Sequence, residues 1–159
     1  MSMEAPVVWS DCTLEAMSPL GLYAALQLRS KVFVVEQKCL FLDTDGLDAQ
    51  AVHLMGRVGG QLLAYARCFP PGVAFAEASI GRIVTDDAAR GRGIGHALVL
   101  QAKVLIQRRW GSQPIRIGAQ ARLQRFYEGH GFADVGKPYV EDGIDHLEML
   151  FLPRALDTQ

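Results

Sequence analysis

Apolar residues along this 159-residue chain recur at two spacings, and the changes between them outline the elements. Val7–Trp9 is a short apolar run that predicts a first strand. Ser18-Pro19 supplies a helix N-cap followed by proline at the first helical position. Leu20, Tyr23, Leu26, Ser30 and Phe33 then recur at helical spacing, which predicts a helix to about Val34. Glu36–Asp48 has no period. It is acidic, with Asp43, Asp45 and Asp48 close together and Gly46 marking a turn. Ala51–Val58 and Gln61–Phe69 flank Gly59-Gly60, two strand-like runs around a glycine turn that read as a hairpin. Pro70-Pro71-Gly72 breaks the second run, and Ser79–Thr85 is the next strand.

Helical spacing returns in Gly95–Trp110, where Ile94, Leu98, Ala102, Leu105 and Ile106 form one stripe and His96, Lys103, Gln107 and Arg108 lie off it. Trp110-Gly111 ends that helix and Pro114 opens a strand, Ile115–Ala119. Its Ile115, Ile117 and Ala119 point one way and Arg116, Gly118 and Gln120 the other. A short helix over Arg122–Gly129 follows. Tyr139–Val140 and His146–Leu152 then read as a closing pair of strands around Glu141-Asp142-Gly143, before a tail at 153–159. Without repeats or linkers, residues 1–159 read as one domain of mixed α/β (α+β) class.

Composition narrows the functions. Half the residues are hydrophobic and 21% are charged, the balance of a globular protein. A net charge of −1 lacks the basic excess of a nucleic-acid binder. Cys12, Cys39 and Cys68 are too few and too scattered for a disulfide framework, and no His/Cys/Asp set has metal-ligand spacing. No apolar run approaches the ~20 residues of a membrane span. Met1–Pro6 lacks the basic-then-apolar pattern of a signal peptide, so the expectation is a cytoplasmic protein.

The chemistry is concentrated in Arg90-Gly91-Arg92-Gly93-Ile94-Gly95, which joins a strand to the long helix. A helix N-terminus leaves backbone N–H groups unpaired and carries partial positive charge. Glycines let a bulky anion approach that backbone, and two arginines add charge beside it. The stretch is a phosphate cradle of a particular kind. It lacks the Gly-Lys-Ser/Thr of a P-loop, and His96 stands where a dinucleotide fingerprint requires its third glycine. Arg-x-x-Gly-x-Gly is satisfied by Arg90, Gly93 and Gly95.

With Val84 six residues upstream, this stretch resembles motif A of the GNAT acetyltransferases. Phe126-Tyr127-Glu128-Gly129-His130-Gly131-Phe132 resembles their Tyr-x-x-x-Gly-Phe motif B, one helix and one strand later. Arg29–Gln37, Asp45-Gly46-Leu47-Asp48, Gly118-Ala119-Gln120-Ala121 and Glu141–His146 are similar to the ElaA-like branch of that superfamily, and the likeness covers roughly Tyr23 to Leu152. It implies a central, mostly antiparallel sheet splayed in the middle and flanked by helices. The implied function is acetyl-CoA-dependent N-acetyl transfer, by direct attack, to an amine of a small molecule, peptide or protein. Many relatives pair as homodimers.

The resemblance also assigns roles. The CoA pyrophosphate would meet the backbone from Gly91 to Gly95, with Arg90, Arg92 and Ile94 in the same loop. The pantetheine arm would pair with the strand edge at Ile83, Val84 and Thr85, and the Val84 N–H would polarise the acetyl carbonyl. Gln120 stands where many GNAT proteins have asparagine, a longer amide that can still bond pantetheine. Tyr127 occupies the general-acid position beside the sulfur. The base is open among Glu77, Glu141, Asp142 and His146, the last three on a hairpin that borders the acceptor site. Arg29 and Glu36, one helical face apart, read as a surface ion pair from the residues alone and as acceptor contacts from the resemblance. From charge alone, the acidic run Asp43–Asp48 reads first as a solvated loop and second as an attraction for a cationic amine. A non-catalytic acyl-CoA-binding module and a nucleotide-binding enzyme are the rival readings of the same cradle.

Overall fold

The structure is a computed structural model and describes residues 5–154; the expectations for 1–4 and for 155–159 lie outside it. In chain order the elements are β1 (Val8–Thr13), α1 (Pro19–Arg29), a π-helix (Ser30–Glu36), β2 (Val52–Val58), β3 (Gln61–Phe69), β4 (Ala78–Thr85), α2 (Ile94–Trp110), β5 (Ile115–Gln120), α3 (Gln124–Glu128), β6 (Phe132–Glu141) and β7 (Ile144–Phe151). The strands form one seven-stranded sheet in the order β1-β2-β3-β4-β5-β7-β6.

All neighbours are antiparallel except β4 and β5, which run parallel and pair only through Ala78–Ile115 and Ser79–Arg116. Beyond those pairs the two strands diverge into a V. β4 is also bulged: its register with β3 shifts between Tyr65 and Arg67, and Arg82 takes a left-handed φ of 48°. A bulge next to a site bends the strand and re-aims its side chains.

The two faces of the sheet are covered by different helices. Ile94, Leu98, Ala102, Leu105 and Ile106 of α2, the stripe that the spacing predicts, are all buried in one core with Ala64, Ala66, Ile80, Ile117 and Met149. On the other face Ala25, Leu28 and Val32 pack on Met55, Leu62, Tyr65 and Val84. Here the pattern misleads. Leu20 and Tyr23, members of the helically spaced set, are 83% and 71% exposed, and the buried face is Gly21, Ala25, Leu28 and Arg29. Small residues at 21 and 25 let the helix backbone approach the sheet, so apolarity alone picks the wrong side. The helix does start where expected: Ser18 Oγ accepts the Gly21 N–H at 3.0 Å and Pro19 is the first helical residue.

Both turns read from the sequence form as two-residue hairpins with left-handed central residues, Gly59 and Gly60 (φ 57° and 83°) and Asp142 and Gly143 (φ 51° and 76°). Two strands exceed their expected lengths by more than a residue. β1 continues past Trp9 to Thr13, and β6 begins at Phe132 rather than Tyr139. They are the outermost strands of the sheet, where one-sided pairing tolerates polar residues and, in β6, a bulge around Gly136 and Pro138.

Candidate active site

A groove of about 1020 Å³ opens where β4 and β5 part. Val84, Arg82, Gln120, Tyr127, Tyr139 and His146 all line it, so residues far apart in the chain converge on one space. Beyond Ser79 the β4 edge facing β5 has no strand partner among the described residues. The Asp86 N–H donates to the Leu63 carbonyl of β3, and Val84, opposite Tyr65, is in the same phase, so the Val84 main chain faces β3 and the N–H turned toward the groove is that of Thr85, not that of Val84 as the resemblance implies.

At the mouth of the V, Asp86 caps a single 3₁₀ turn by accepting the Ala88 N–H at 3.0 Å, and the chain then passes through Gly91 (φ 79°) and Gly93 (φ 74°) into α2. No atom lies within 4 Å of where a Cβ would stand at Gly91 or Gly93. Both glycines are therefore required by backbone conformation rather than by protein packing, and the space in front of them is open. The first intrahelical bond of α2 runs from the Ala97 N–H to the Gly93 carbonyl at 3.1 Å. The N–H groups of Ile94, Gly95 and His96 head the helix without an intrahelical acceptor. This seventeen-residue helix end with an open, glycine-paved approach fits a diphosphate.

The flanking charges are arranged differently from the sequence expectation. Arg90 is committed: its guanidinium grips the Glu36 carboxylate at two points and donates to the Thr85 carbonyl at 3.1 Å. Each partner shifts the other, raising the Arg90 pKa and lowering that of Glu36. Glu36 thus pairs with Arg90, not with Arg29. The π-helix carries Glu36 and Gln37 across to the groove, where the Gln120 side-chain amide donates to Gln37 Oε1 at 3.2 Å. Lys31, one turn earlier, binds Asp86 at 3.0 Å and Asp87 at 3.2 Å.

Arg29 is fully buried rather than on the surface. Its Nε donates to Asp43 at 2.8 Å and its Nη1 to Asp48 at 2.8 Å. Arg67 pairs with Asp45 and, at 3.0 Å, with Asp48; Arg82 reaches Asp43 at 2.9 Å. The three aspartates of the acidic run are therefore matched by three arginines, and the run presents no net negative field to an amine. The network instead ties α1 and the 43–48 loop to β3 and to the β4 bulge. His53 belongs to the same region as a satisfied core histidine: its Nε2–H donates to the Asp48 carbonyl at 2.9 Å, and its Nδ1 accepts the Tyr65 hydroxyl at 2.6 Å.

Tyr127 sits on α3 with its ring packed edge-on against Phe126 and Phe132. Burial pushes its hydroxyl pKa up to about 12, so the phenol keeps its proton at neutral pH. On the opposite wall, His146 Nδ1–H donates to the Ile144 carbonyl at 2.7 Å. That bond fixes the tautomer and leaves Nε2 with a lone pair, 3.9 Å from a Glu141 carboxylate oxygen. Glu141 is exposed at the groove rim, and Asp142 forms the turn, its carbonyl accepting Cys39 Sγ–H at 3.2 Å. Glu77 stands apart. It is not among the groove-lining residues, and Arg116 clamps it through two 3.0 Å bonds that depress its pKa. Among the described residues no group of His, Cys, Asp or Glu is placed to hold a metal ion, and no helix is long and apolar enough to cross a membrane.

One groove residue escapes sequence reasoning. Tyr139 reads there only as a strand residue, yet its ring stacks on His146 at 5.2 Å and its hydroxyl lies directly over Gly118 of β5. The available signal was the glycine in mid-strand, which marks a close approach.

Comparison with known proteins places this geometry. Residues 48–152 match the acetyltransferase (GNAT) domain family. A UPF0039 protein of Synechocystis is 43% identical over 90% of this chain and 94% of its own. The ElaA protein of Escherichia coli is 39% identical over 90% and 95%, and its crystal structure superposes with a TM-score of 0.85 over 92% of this chain and 99% of that one. The crystal structure of an acyl-CoA N-acyltransferase from Pseudomonas aeruginosa is 42% identical with a TM-score of 0.87, covering 92% and 99%. The splayed sheet, the glycine cradle at the head of α2 and these relatives lead to one conclusion: the chain belongs to the GNAT acetyltransferase family, in its ElaA-like branch, and is an acyltransferase.

Proposed function

We propose that the protein transfers an acetyl group from acetyl-CoA directly to a primary amine of a small molecule, peptide or protein, without a covalent enzyme intermediate. The observation that carries this reading is the placement of a protonated phenol, Tyr127, and an imidazole with a free lone pair, His146, in the same groove beside the open edge of β4. The balanced step converts a thioester and an alkylammonium into an amide, a thiol and a proton: the C–N bond forms and the C–S bond breaks.

An ammonium with a pKa near ~10.4 must lose a proton before it can attack. His146 Nε2 takes that proton, and the exposed Glu141 carboxylate beside it stabilises the imidazolium. Tyr127 supplies a proton to the departing thiolate and regains one from the nitrogen of the tetrahedral intermediate, whose second proton is lost as the amide forms. The Thr85 N–H, on the unpaired side of β4, is suited to stabilise the developing oxyanion. Gly91, Gly93 and the N–H groups of Ile94 and Gly95 hold the diphosphate. Arg90 contributes by fixing the mouth of the V through Glu36 and Thr85, and Arg92 lies in the same loop. Arg29 and Asp142 act on the acceptor side by holding its loops in place. Since the Asp43–Asp48 run is neutralised, apolar walls such as Phe41, Leu42, Phe69 and Phe75 set the acceptor's affinity.

The test is thiol release from acetyl-CoA with a panel of primary amines, run on the wild type and on Tyr127→Phe. Amine-dependent release is expected, slowed about a hundredfold or more in the variant, with CoA affinity within twofold of wild type. Unaltered turnover in Tyr127→Phe removes the phenol from the mechanism. Silence across the panel with tight CoA binding makes the protein a binding module, and ATP binding that CoA cannot displace makes it a nucleotide enzyme.

A further inference from the structure

We infer that the Tyr139 hydroxyl holds an N–H of the acceptor nitrogen and so selects primary over secondary amines. The inference rests on the acetyl-transfer reading and deepens it.

Three observations carry it. First, the hydroxyl occupies a made-to-measure space. A Cβ built on Gly118 would overlap Tyr139 Oη well within van der Waals contact distance while standing an ordinary 3.5 Å from Cζ. No other residue at 118 leaves the phenol where it is. Glycine weakens a strand interior, and neither the backbone turn nor the core asks for it here, since Gly118 has no left-handed φ and is exposed on the groove side.

Second, the ring is immobilised while its hydroxyl is left without a partner. Tyr139 pairs across the hairpin with His146, and the two rings stack at 23°. Among the described residues no hydrogen bond reaches Tyr139 Oη, although the side chain is half-buried and lines the groove. The carboxylates of Glu141 and Glu148 act with burial to keep this phenol protonated. A neutral hydroxyl accepts an N–H.

Third, the neighbour of Tyr139 is the His146 imidazole, whose Nδ1–H is spent on Ile144 and whose Nε2 accepts one proton. The two rings thus offer two acceptors side by side in one groove. A primary amine satisfies both: one proton leaves with His146, and the N–H that survives in the product amide stays with Tyr139. A secondary amine yields a product amide with no N–H, so the Tyr139 oxygen has none to accept, and failure to pair a site built to bond an N–H is a strong ground for rejection.

The experiment uses two probes that join the CoA sulfur through an acetamide to n-butylamine, one with the amide N–H and one N-methylated, with CoA itself as the control. Calorimetry on the wild type is expected to show the N–H probe binding about five- to tenfold more tightly than the N-methyl probe. In Tyr139→Phe that preference disappears while CoA affinity stays within twofold. A preference that persists in Tyr139→Phe is steric and overturns the inference, as does a wild type without any preference. Equal weakening of CoA and both probes makes Tyr139 structural. A wild type that does not bind CoA defeats the acetyl-transfer reading itself and this inference with it. Gly118→Ala is expected to lower the melting temperature. Gly118→Ala combined with Tyr139→Phe is expected to regain most of it, still without the preference, because a phenylalanine ring atom 3.5 Å from the new methyl is an ordinary contact. A Gly118→Ala variant that melts like wild type and keeps the preference refutes the steric argument.

Discussion

Replacing Gly93 by glutamate separates two effects that the geometry keeps apart. Gly93 stands at the N-cap of α2 with a φ of 74°, and nothing lies within 4 Å of its would-be Cβ. The substitution therefore meets no protein atom. Its folding cost is the left-handed backbone of a non-glycine residue, about 1–2 kcal/mol. A carboxylate at a helix N-terminus recovers about 0.3–1 kcal/mol of that. The net loss of about 1 kcal/mol corresponds to a melting shift of about 2–4 °C in a chain of this size. The effect on the ligand is much larger. A carboxylate about 6 Å from each diphosphate charge, in surroundings of effective dielectric about 20, repels each by about 3 kcal/mol. CoA affinity is expected to fall at least about a hundredfold. Gly93→Ala carries the backbone cost without the charge, so it should lose a few degrees of stability while binding CoA nearly as the wild type does. Calorimetry with CoA and thermal melting of the three proteins read both quantities. A Gly93→Glu protein that binds CoA within threefold of wild type would move the diphosphate away from the head of α2.

Arg29→Met leaves Asp43 and Asp48 without their buried partner and is expected to cost about 3–5 kcal/mol, read as a drop in melting temperature of about 6–20 °C; a shift below 3 °C would show the network to be dispensable. Glu77→Gln is expected to keep turnover within about threefold of wild type, because Arg116 already holds the carboxylate away from the groove, whereas a hundredfold loss would return Glu77 to the role of base. Acid should destabilise the fold in two stages. Burial keeps His53 and His130 neutral, with folded pKa values below the ordinary 6.5, so the unfolded chain takes up protons that the folded one refuses and stability declines as pH falls below about 6.5. Arg67 holds Asp45 below 3.8, and Arg29 and Arg67 outweigh burial to do the same for Asp48, so a second decline begins near pH 4. Melting temperatures that stay level between pH 7 and 5 would contradict the first stage.

What the sequence discloses is what neighbours in the chain can encode. The α2 stripe, the Gly59-Gly60 and Asp142-Gly143 turns and the glycine loop that opens α2 are local, and each forms where its residues predict. Failures occur where the deciding partner is distant. Arg29 looks like a surface arginine one helical face from Glu36 until Asp43 and Asp48 fold over it. Glu36 finds Arg90 fifty-four residues away. The inward side of α1 is chosen by how closely the sheet lets it approach, so Gly21 and Ala25 outrank Leu20 and Tyr23. The outer strands β1 and β6 hide because a strand with one neighbour has no need of continuous apolar residues. Tyr139 is invisible for a further reason: its significance lies in the missing side chain of Gly118, on a different strand.

The brevity of the seam between β4 and β5 also bears on solubility. An unpaired strand edge invites the edges of other chains, and proteins ordinarily disarm it with charge, proline or a cap. Here the unfinished edge of β4 turns inward across the cleft instead of outward. A slender ligand can reach its amides and carbonyls, but a foreign sheet, ~10 Å thick with its side chains, cannot follow. The protein thereby keeps a sticky template in permanent use while denying it to self-association.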